Sequence, residues 1–264
     1  MLIAIGILTG LLASSSPLEF DQFERIVIAG DSTAADYPAE RRPQAGWGEG
    51  LRVLISPLPV LNLAVPGRST RSYIEEGHWE DLAGQIKAGD LVLISFGHND
   101  SRDDAKERYA APNVAYRENL VRFAQDVKAA GGRPVLLSPV ARRLWEGPAM
   151  VETHGMYRHA AATAAYEADV DFIDLSQLSL DYFERFGPEG TKRDFIWLDP
   201  IPGHPRFANG AEDNTHFTPL GACGVALVIA REIGLAQLEG AEDSESSERS
   251  AAVRKCSREL PSSH

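Results

Sequence analysis

The chain has 264 residues, 44% of them hydrophobic and 24% charged, a globular composition that excludes a disordered chain, collagen and a disulfide-stapled miniprotein. A chain of this length can close an α/β core without a metal or a cross-link. With 26 Lys and Arg against 38 Asp and Glu, the formal net charge is −12. That disfavours nucleic acid and an anionic membrane surface as main partners, because both need a basic footprint.

Residues 2–12 form an apolar run, followed by the small residues Ala13 to Ser16 and by Pro17. The run is too short to span a bilayer but has the size of a signal-peptide core. Residues 1–16 therefore read as a signal peptide, predicting a secreted or periplasmic protein without stable membrane insertion. From residue 25, short Val-, Ile- and Leu-rich runs alternate with longer amphipathic stretches. Strands are predicted over 25–29, 59–64, 90–96, 133–139 and 170–175, with the near-continuous apolar character of strands buried on both faces of a parallel sheet. Helical periodicity covers 48–55, 80–88, 113–130 and 159–168, the third helix stopping at Gly131-Gly132. A last helix is predicted over 219–237. Strands separated by helices imply right-handed crossovers and an α/β fold, a three-layer α/β/α sandwich of about five parallel strands. One domain, 24–238, contains it.

Residues 183–215 carry Gly, Pro and charge with little periodicity and read as a long functional loop. Residues 239–264, rich in Ser, Glu and Arg, read as a disordered tail. The two cysteines, Cys223 and Cys256, form no C-x-x-C pair; free thiols, one of them in that tail, are the preferred reading, and a single disulfide between them in an oxidising compartment is the alternative. A monomer is expected.

Ligands of open α/β sheets bind beyond the carboxyl ends of the strands, so the segments just after the predicted strands matter most. These are Gly30-Asp31-Ser32-Thr33, Val65-Pro66-Gly67-Arg68-Ser69 and Gly97-His98-Asn99-Asp100. Just before the last helix stand Asp213-Asn214-Thr215-His216. The residue types permit acyl transfer through an activated serine. A serine hydroxyl is nearly inert until a base takes its proton, so Ser32 needs an imidazole, and His216 can supply it. Asp213, three residues earlier, can fix the tautomer of that ring. The backbone N–H groups of Ser32 and Gly67 and the side-chain amide of Asn99 suit an oxyanion hole.

These four blocks resemble those of the SGNH (GDSL) hydrolase superfamily. The strings Asn62 to Gly77, Glu212 to Phe217, Val140-Ala-Arg-Arg143 and Thr153-His-Gly155 resemble, more narrowly, the rhamnogalacturonan acetylesterase group. The resemblance covers roughly residues 24–237, departing at His78-Trp79, where Arg-Trp is expected, and in the Ser/Glu-rich tail. It implies a flavodoxin-like sandwich, no cofactor, and removal of O-acetyl groups from an acetylated plant cell-wall polysaccharide or oligosaccharide. It carries the triad onto Ser32, Asp213 and His216 and the oxyanion hole onto Ser32, Gly67 and Asn99.

Other readings compete with each block. Gly30-Asp31-Ser32 alone could be a helix entry. Asp213 and His216 could ligate a metal, but no H-E-x-x-H and no clustered third ligand accompany them, so no metal is expected. Gly46-Trp47-Gly48-Glu49-Gly50 lacks the spacing of a nucleotide loop and reads as a helix entry, with Trp47 as a candidate sugar platform. His98 and Asp100 read as groups that orient the Asn99 turn. Locally basic pairs (Arg68 and Arg71; Arg142 and Arg143; Lys192 and Arg193; His204 and Arg206) suggest a carboxylate-reading rim, with Arg68 and Arg142 as candidates. Rival functions are another SGNH esterase, such as a xylan acetylesterase, a lipase or a thioesterase, and a catalytically silent carbohydrate-binding protein.

Overall fold

The computed structural model describes residues 23–235 and 250–260. The first half of the chain builds β1 (Arg25–Gly30), α1 (Trp47–Leu54), β2 (Val60–Asn62), α2 (Thr70–Glu75), α3 (His78–Ala83), β3 (Asp90–Ser95), α4 (Arg117–Ala129) and β4 (Arg133–Leu137). A small hairpin follows, β5 (Trp145–Glu146) and β6 (Ala149–Met150), then α5 (Met156–Ala168), β7 (Asp171–Ile173), α6 (Leu175–Glu184) and the short α7 (Gly187–Gly190). The described chain closes with β8 (Phe195–Leu198), β9 (Ala211–Phe217), α8 (Pro219–Glu232) and α9 (Ala251–Glu259).

Five strands form one parallel sheet in the order β2-β1-β3-β4-β7. Alternate residues of each strand face opposite layers. Ile26, Ile28, Leu91, Leu93, Val135 and Leu137 pack with α1, α6, α8 and α9, while Val27, Ala29, Val92, Ile94 and Leu136 pack with α2 to α5. Both faces are apolar, which explains why these strands show no polar alternation in sequence. At the amino end of the sheet a two-pronged pair joins its strands, Arg25 Nε to Asp90 Oδ1 at 2.7 Å and Nη2 to Oδ2 at 2.8 Å. The order is that of a flavodoxin-like doubly wound sheet, so β1 and β3 leave in opposite directions and open a crevice at their carboxyl ends. The three-layer prediction stands.

Four expectations change. The segment 183–215 is not one loop: it contains α7 and the antiparallel β8–β9 ribbon, which lies outside the main sheet. Mixed polar residues on β9 hide it from an apolar-run reading. The helices α2 and α6 were not anticipated, since each is short and borders a turn. Residues 239–264 are not disordered throughout, because α9 forms there with Ser250 capping Val253 N. Val253, Cys256 and Leu260 recur at helical spacing and are buried, a stripe that the charged composition around them obscures. Cys256 and Cys223 are joined in a disulfide, Cα–Cα 6.0 Å, so the free-thiol reading is overturned. It ties α9 onto α8 and closes a separation of 33 residues, worth about 4 kcal/mol in chain entropy. The signal-peptide segment lies outside the described residues. No described helix is long and apolar enough to cross a membrane.

Candidate active site

The carboxyl ends of β1, β2 and β3 present three turns to one crevice. After β1 the chain tightens at once: Asp31 Oδ1 accepts from Thr33 N at 2.9 Å and Thr33 Oγ1 at 2.8 Å, while Ala34 and Ala35 donate to the Asp31 carbonyl. Tyr37 Oη donates to the Ser32 carbonyl at 2.6 Å and pins the turn from outside. Gly46 lets α1 press onto it, for a β-carbon there would lie 2.2 Å from the Ala35 carbonyl oxygen. The Gly46–Gly50 segment is thus a close-packed helix entry, and Glu49 completes it by accepting from Gly46 N at 3.2 Å.

The β8–β9 ribbon supplies the other half. Phe195 pairs with Phe217 but Ile196 pairs with Asp213, so Asn214, Thr215 and His216 bow out of the ladder as a bulge. Bulges re-aim side chains, and this one turns His216 toward the sheet. Asp213 Oδ1 holds the bulge by accepting from Thr215 N at 2.8 Å and His216 N at 3.0 Å. Its Oδ2 lies 2.7 Å from His216 Nδ1, and His216 Nε2 lies 2.9 Å from Ser32 Oγ across 184 residues of chain. Burial alone would raise the Asp213 carboxyl, but the His216 ring and the two amides outweigh it and bring its pKa to about 2. An ionised Asp213 fixes the tautomer in which Nδ1 carries the proton, leaving Nε2 to accept from Ser32.

The bulge is braced from behind by residues whose role the sequence did not disclose. Arg143 N donates to the Asn214 carbonyl at 2.8 Å, and Arg143 Nη1 and Trp197 Nε1 both donate to Asn214 Oδ1, at 3.2 and 2.9 Å. The Arg143 guanidinium lies 4.4 Å from the Trp197 ring centroid and also donates to the Pro188 carbonyl. A buried, fully engaged Arg143 is a scaffold element, and its place in the carboxylate-reading rim is withdrawn.

The turns of Asn99 and Gly67 meet across the crevice, for Asn99 Nδ2 donates to the carbonyl of Arg68, the neighbour of Gly67, at 3.1 Å. Gly67 takes φ +79°, a left-handed conformation that glycine adopts without strain. The turn carrying Asn99 is anchored on both sides. His98 Nδ1 lies 3.4 Å from Asp31 Oδ2, linking the β1 and β3 turns, and the His154 ring stands edge-on to His98 at 4.5 Å. Burial holds the His98 imidazole below its usual pKa, so the ring is neutral at pH 7. Asp100 accepts from Thr70 N at 2.9 Å and from Thr70 Oγ1, which joins this turn to α2, while burial pushes its carboxyl up to about 7. Both residues orient the turn, as the sequence suggested.

The candidate sugar contacts fare differently. Trp47 is fully buried in the core beneath α1 and forms no platform. Its flanking glycines resembled a loop at a site, but they serve packing. Arg68 points away into an ion pair with Glu76 at 2.7 Å. Arg142 is half-buried, with Nη2 3.4 Å from the His98 carbonyl. His204 accepts from Arg206 N and Phe207 N on Nδ1, while its Nε2 lies 2.7 Å from the Arg42 carbonyl oxygen and ties this loop to the segment before α1. Among the described residues no group of three or more His, Cys, Asp or Glu could hold a metal ion.

A flavodoxin-like sheet with a hydrogen-bonded Ser–His–Asp relay at its carboxyl rim defines an α/β/α hydrolase. The profile of the GDSL-like lipase/acylhydrolase family matches residues 28–222, and the chain belongs to that family. It is 39% identical over 216 residues to the rhamnogalacturonan acetylesterase RhgT of Bacillus subtilis, covering 80% of this chain and 91% of that protein. It is 29% identical over 197 residues to the rhamnogalacturonan acetylesterase of Emericella nidulans, covering 67% and 78%. Among solved structures, the protein YxiM of Bacillus subtilis superposes with a TM-score of 0.67 at 27% identity, over 83% of this chain and 58% of that one.

Proposed function

We propose that the chain is a serine esterase that removes O-acetyl groups from rhamnogalacturonan. The observation that carries this reading is the 2.9 Å contact between Ser32 Oγ and His216 Nε2, in a chain related to rhamnogalacturonan acetylesterases. Ser32 Oγ attacks the acetyl carbonyl carbon while His216 Nε2 takes its proton. The carbonyl oxygen becomes an anion stabilised by the N–H groups of Ser32 and Gly67 and by Asn99 Nδ2. Collapse breaks the ester bond, and His216 returns the proton to the departing sugar oxygen. Water, deprotonated by the same ring, then attacks the acetyl-enzyme and frees acetate and Ser32. Asp213 stays ionised throughout, holding the ring and balancing the imidazolium.

The test is acetate release from acetylated rhamnogalacturonan. Ser32→Ala should lower kcat on the order of a million-fold with the fold intact by circular dichroism. Release within tenfold of wild type would overturn the reading. A crevice rimmed by the polar groups of Ser32, Asn99 and His216 favours a sugar over a lipid, and a bonded relay disfavours a silent binding protein.

We further propose that the protein is exported. The Cys223–Cys256 disulfide supports an oxidising compartment, in keeping with the apolar run at 2–12. N-terminal sequencing of protein recovered outside the cytoplasm checks this, and recovery from the cytoplasm alone with Met1 retained would refute it.

A further inference from the structure

The basic residues of the rim divide by what they already hold. Arg68 pairs with Glu76, Arg71 with Glu75 and Lys192 with Glu189, at 2.7 to 2.9 Å. Arg143 is engaged by Asn214, Thr191 and Pro188. Of the guanidinium groups held more loosely, two stand at the turns that carry the proposed oxyanion donors. Arg142 donates to the His98 carbonyl at a long 3.4 Å, and among the described residues no carboxylate lies within 4.0 Å of it. It is half-buried beside the turn of Asn99, and burial pulls its pKa below the usual value. Arg108 lies over Gly67: a β-carbon built on that glycine would sit 3.8 Å from Arg108 Nη1. Its ion pair is a slack one with its exposed neighbour Glu107, at 3.6 Å.

We propose that Arg108 and Arg142 form a carboxylate-binding subsite flanking the ester site, which takes a uronate carboxylate of the acetylated substrate near the acetylated oxygen. The proposal rests on the deacetylase reading above. Desolvating a cation is costly, and a ligand carboxylate that arrives with matched hydrogen bonds offsets that cost. The guanidinium fork suits a carboxylate better than an ammonium does. Long-range charge gives such a subsite a purpose. At a net charge of −12 the protein repels a polyuronate, so attraction must be local to the crevice. Rhamnogalacturonan offers one galacturonate carboxylate in each disaccharide repeat, at a regular distance from the acetylated oxygen.

A competing role is direct stabilisation of the oxyanion. The two separate by substrate, since an oxyanion effect acts on every acetyl ester and a carboxylate contact acts on acidic substrates alone. The experiment compares acetylated rhamnogalacturonan oligosaccharides with their carboxyl-reduced counterparts, which keep the acetyl group and lose the charge. For Arg142→Gln and for Arg108→Gln, the ratio of kcat/KM on the acidic to the reduced substrate should fall about tenfold, mostly through KM. The double variant should fall further, and raised salt should move the wild-type ratio in the same direction. Equal losses on both substrates, or none on either, would overturn the subsite. Arg108 is 38% exposed, so its variant keeps the test decisive if Arg142→Gln folds poorly. A wild type that cleaves p-nitrophenyl acetate but neither oligosaccharide would instead overturn the substrate reading.

Discussion

Ser32 and His216 reach the same point by different physical means. Ser32 sits directly on the end of β1, a fully buried strand hydrogen-bonded to both neighbours, and its turn is closed by local bonds within six residues. His216 sits on a two-stranded ribbon outside that sheet, at a bulge held by Asp213 and by Arg143 and Trp197 from two other segments of chain. The sheet-borne half is rigid because the core is. The ribbon-borne half is rigid because a network of polar contacts over-determines it. The first survives any substitution that spares the core, whereas the second can be loosened one hydrogen bond at a time.

Three substitutions sharpen that contrast, in decreasing order of expected effect. Asp213→Asn keeps the ribbon's shape but releases the His216 tautomer, and kcat should fall about 10⁴-fold. The same variant tests the electrostatics. The folded-state pKa of Asp213, about 2, lies below the unfolded value of about 3.9, so its stabilisation is complete above the unfolded value and is lost as pH falls through 2. The gap in urea stability between wild type and Asp213→Asn should be of order 2 kcal/mol at pH 7 and should close between pH 4 and pH 2. A gap independent of pH would contradict this account.

On the sheet-borne side, Asn99→Ala removes one proposed oxyanion donor. It should cost about 3 kcal/mol of transition-state stabilisation, a loss of 10² to 10³ in kcat. The loss should appear on every acetyl ester, and restriction to one ester would place Asn99 in substrate binding instead. The smallest effect is expected from Asn214→Ala, which touches no reacting atom. It leaves Trp197 Nε1 and Arg143 without their shared acceptor, and should cost about 1–3 kcal/mol of stability with a roughly tenfold fall in kcat. An Asn214→Ala enzyme that melts early but turns over normally would show that the brace serves the fold alone.

What was legible in the sequence follows the same division. The apolar strands, their helical crossovers and the turns after β1, β2 and β3 can be read because each is specified by neighbours in the chain. Val, Ile and Leu runs demand burial, and a Gly-rich turn must follow a buried strand that ends at a crevice. Asp213 and His216 could be nominated by type, but nothing local showed that they occupy a bulged strand.

Trp47 misled for the converse reason: a tryptophan among glycines looks like a sugar platform, yet the glycines exist to let backbones meet. The α9 helix was missed because three buried side chains among charged residues signal a helix only once a partner surface is known. Arg142 and Arg143 are adjacent and chemically alike. Packing alone decided that one braces the Asn214 bulge while the other is left beside the crevice. Local sequence thus determined the strands, the helical crossovers between them and the chemistry available at the rim. The tertiary structure decided which distant side chains meet there, because those meetings are hydrogen bonds between partners far apart in the chain, 71 residues for Arg143 and Asn214 and 184 for Ser32 and His216.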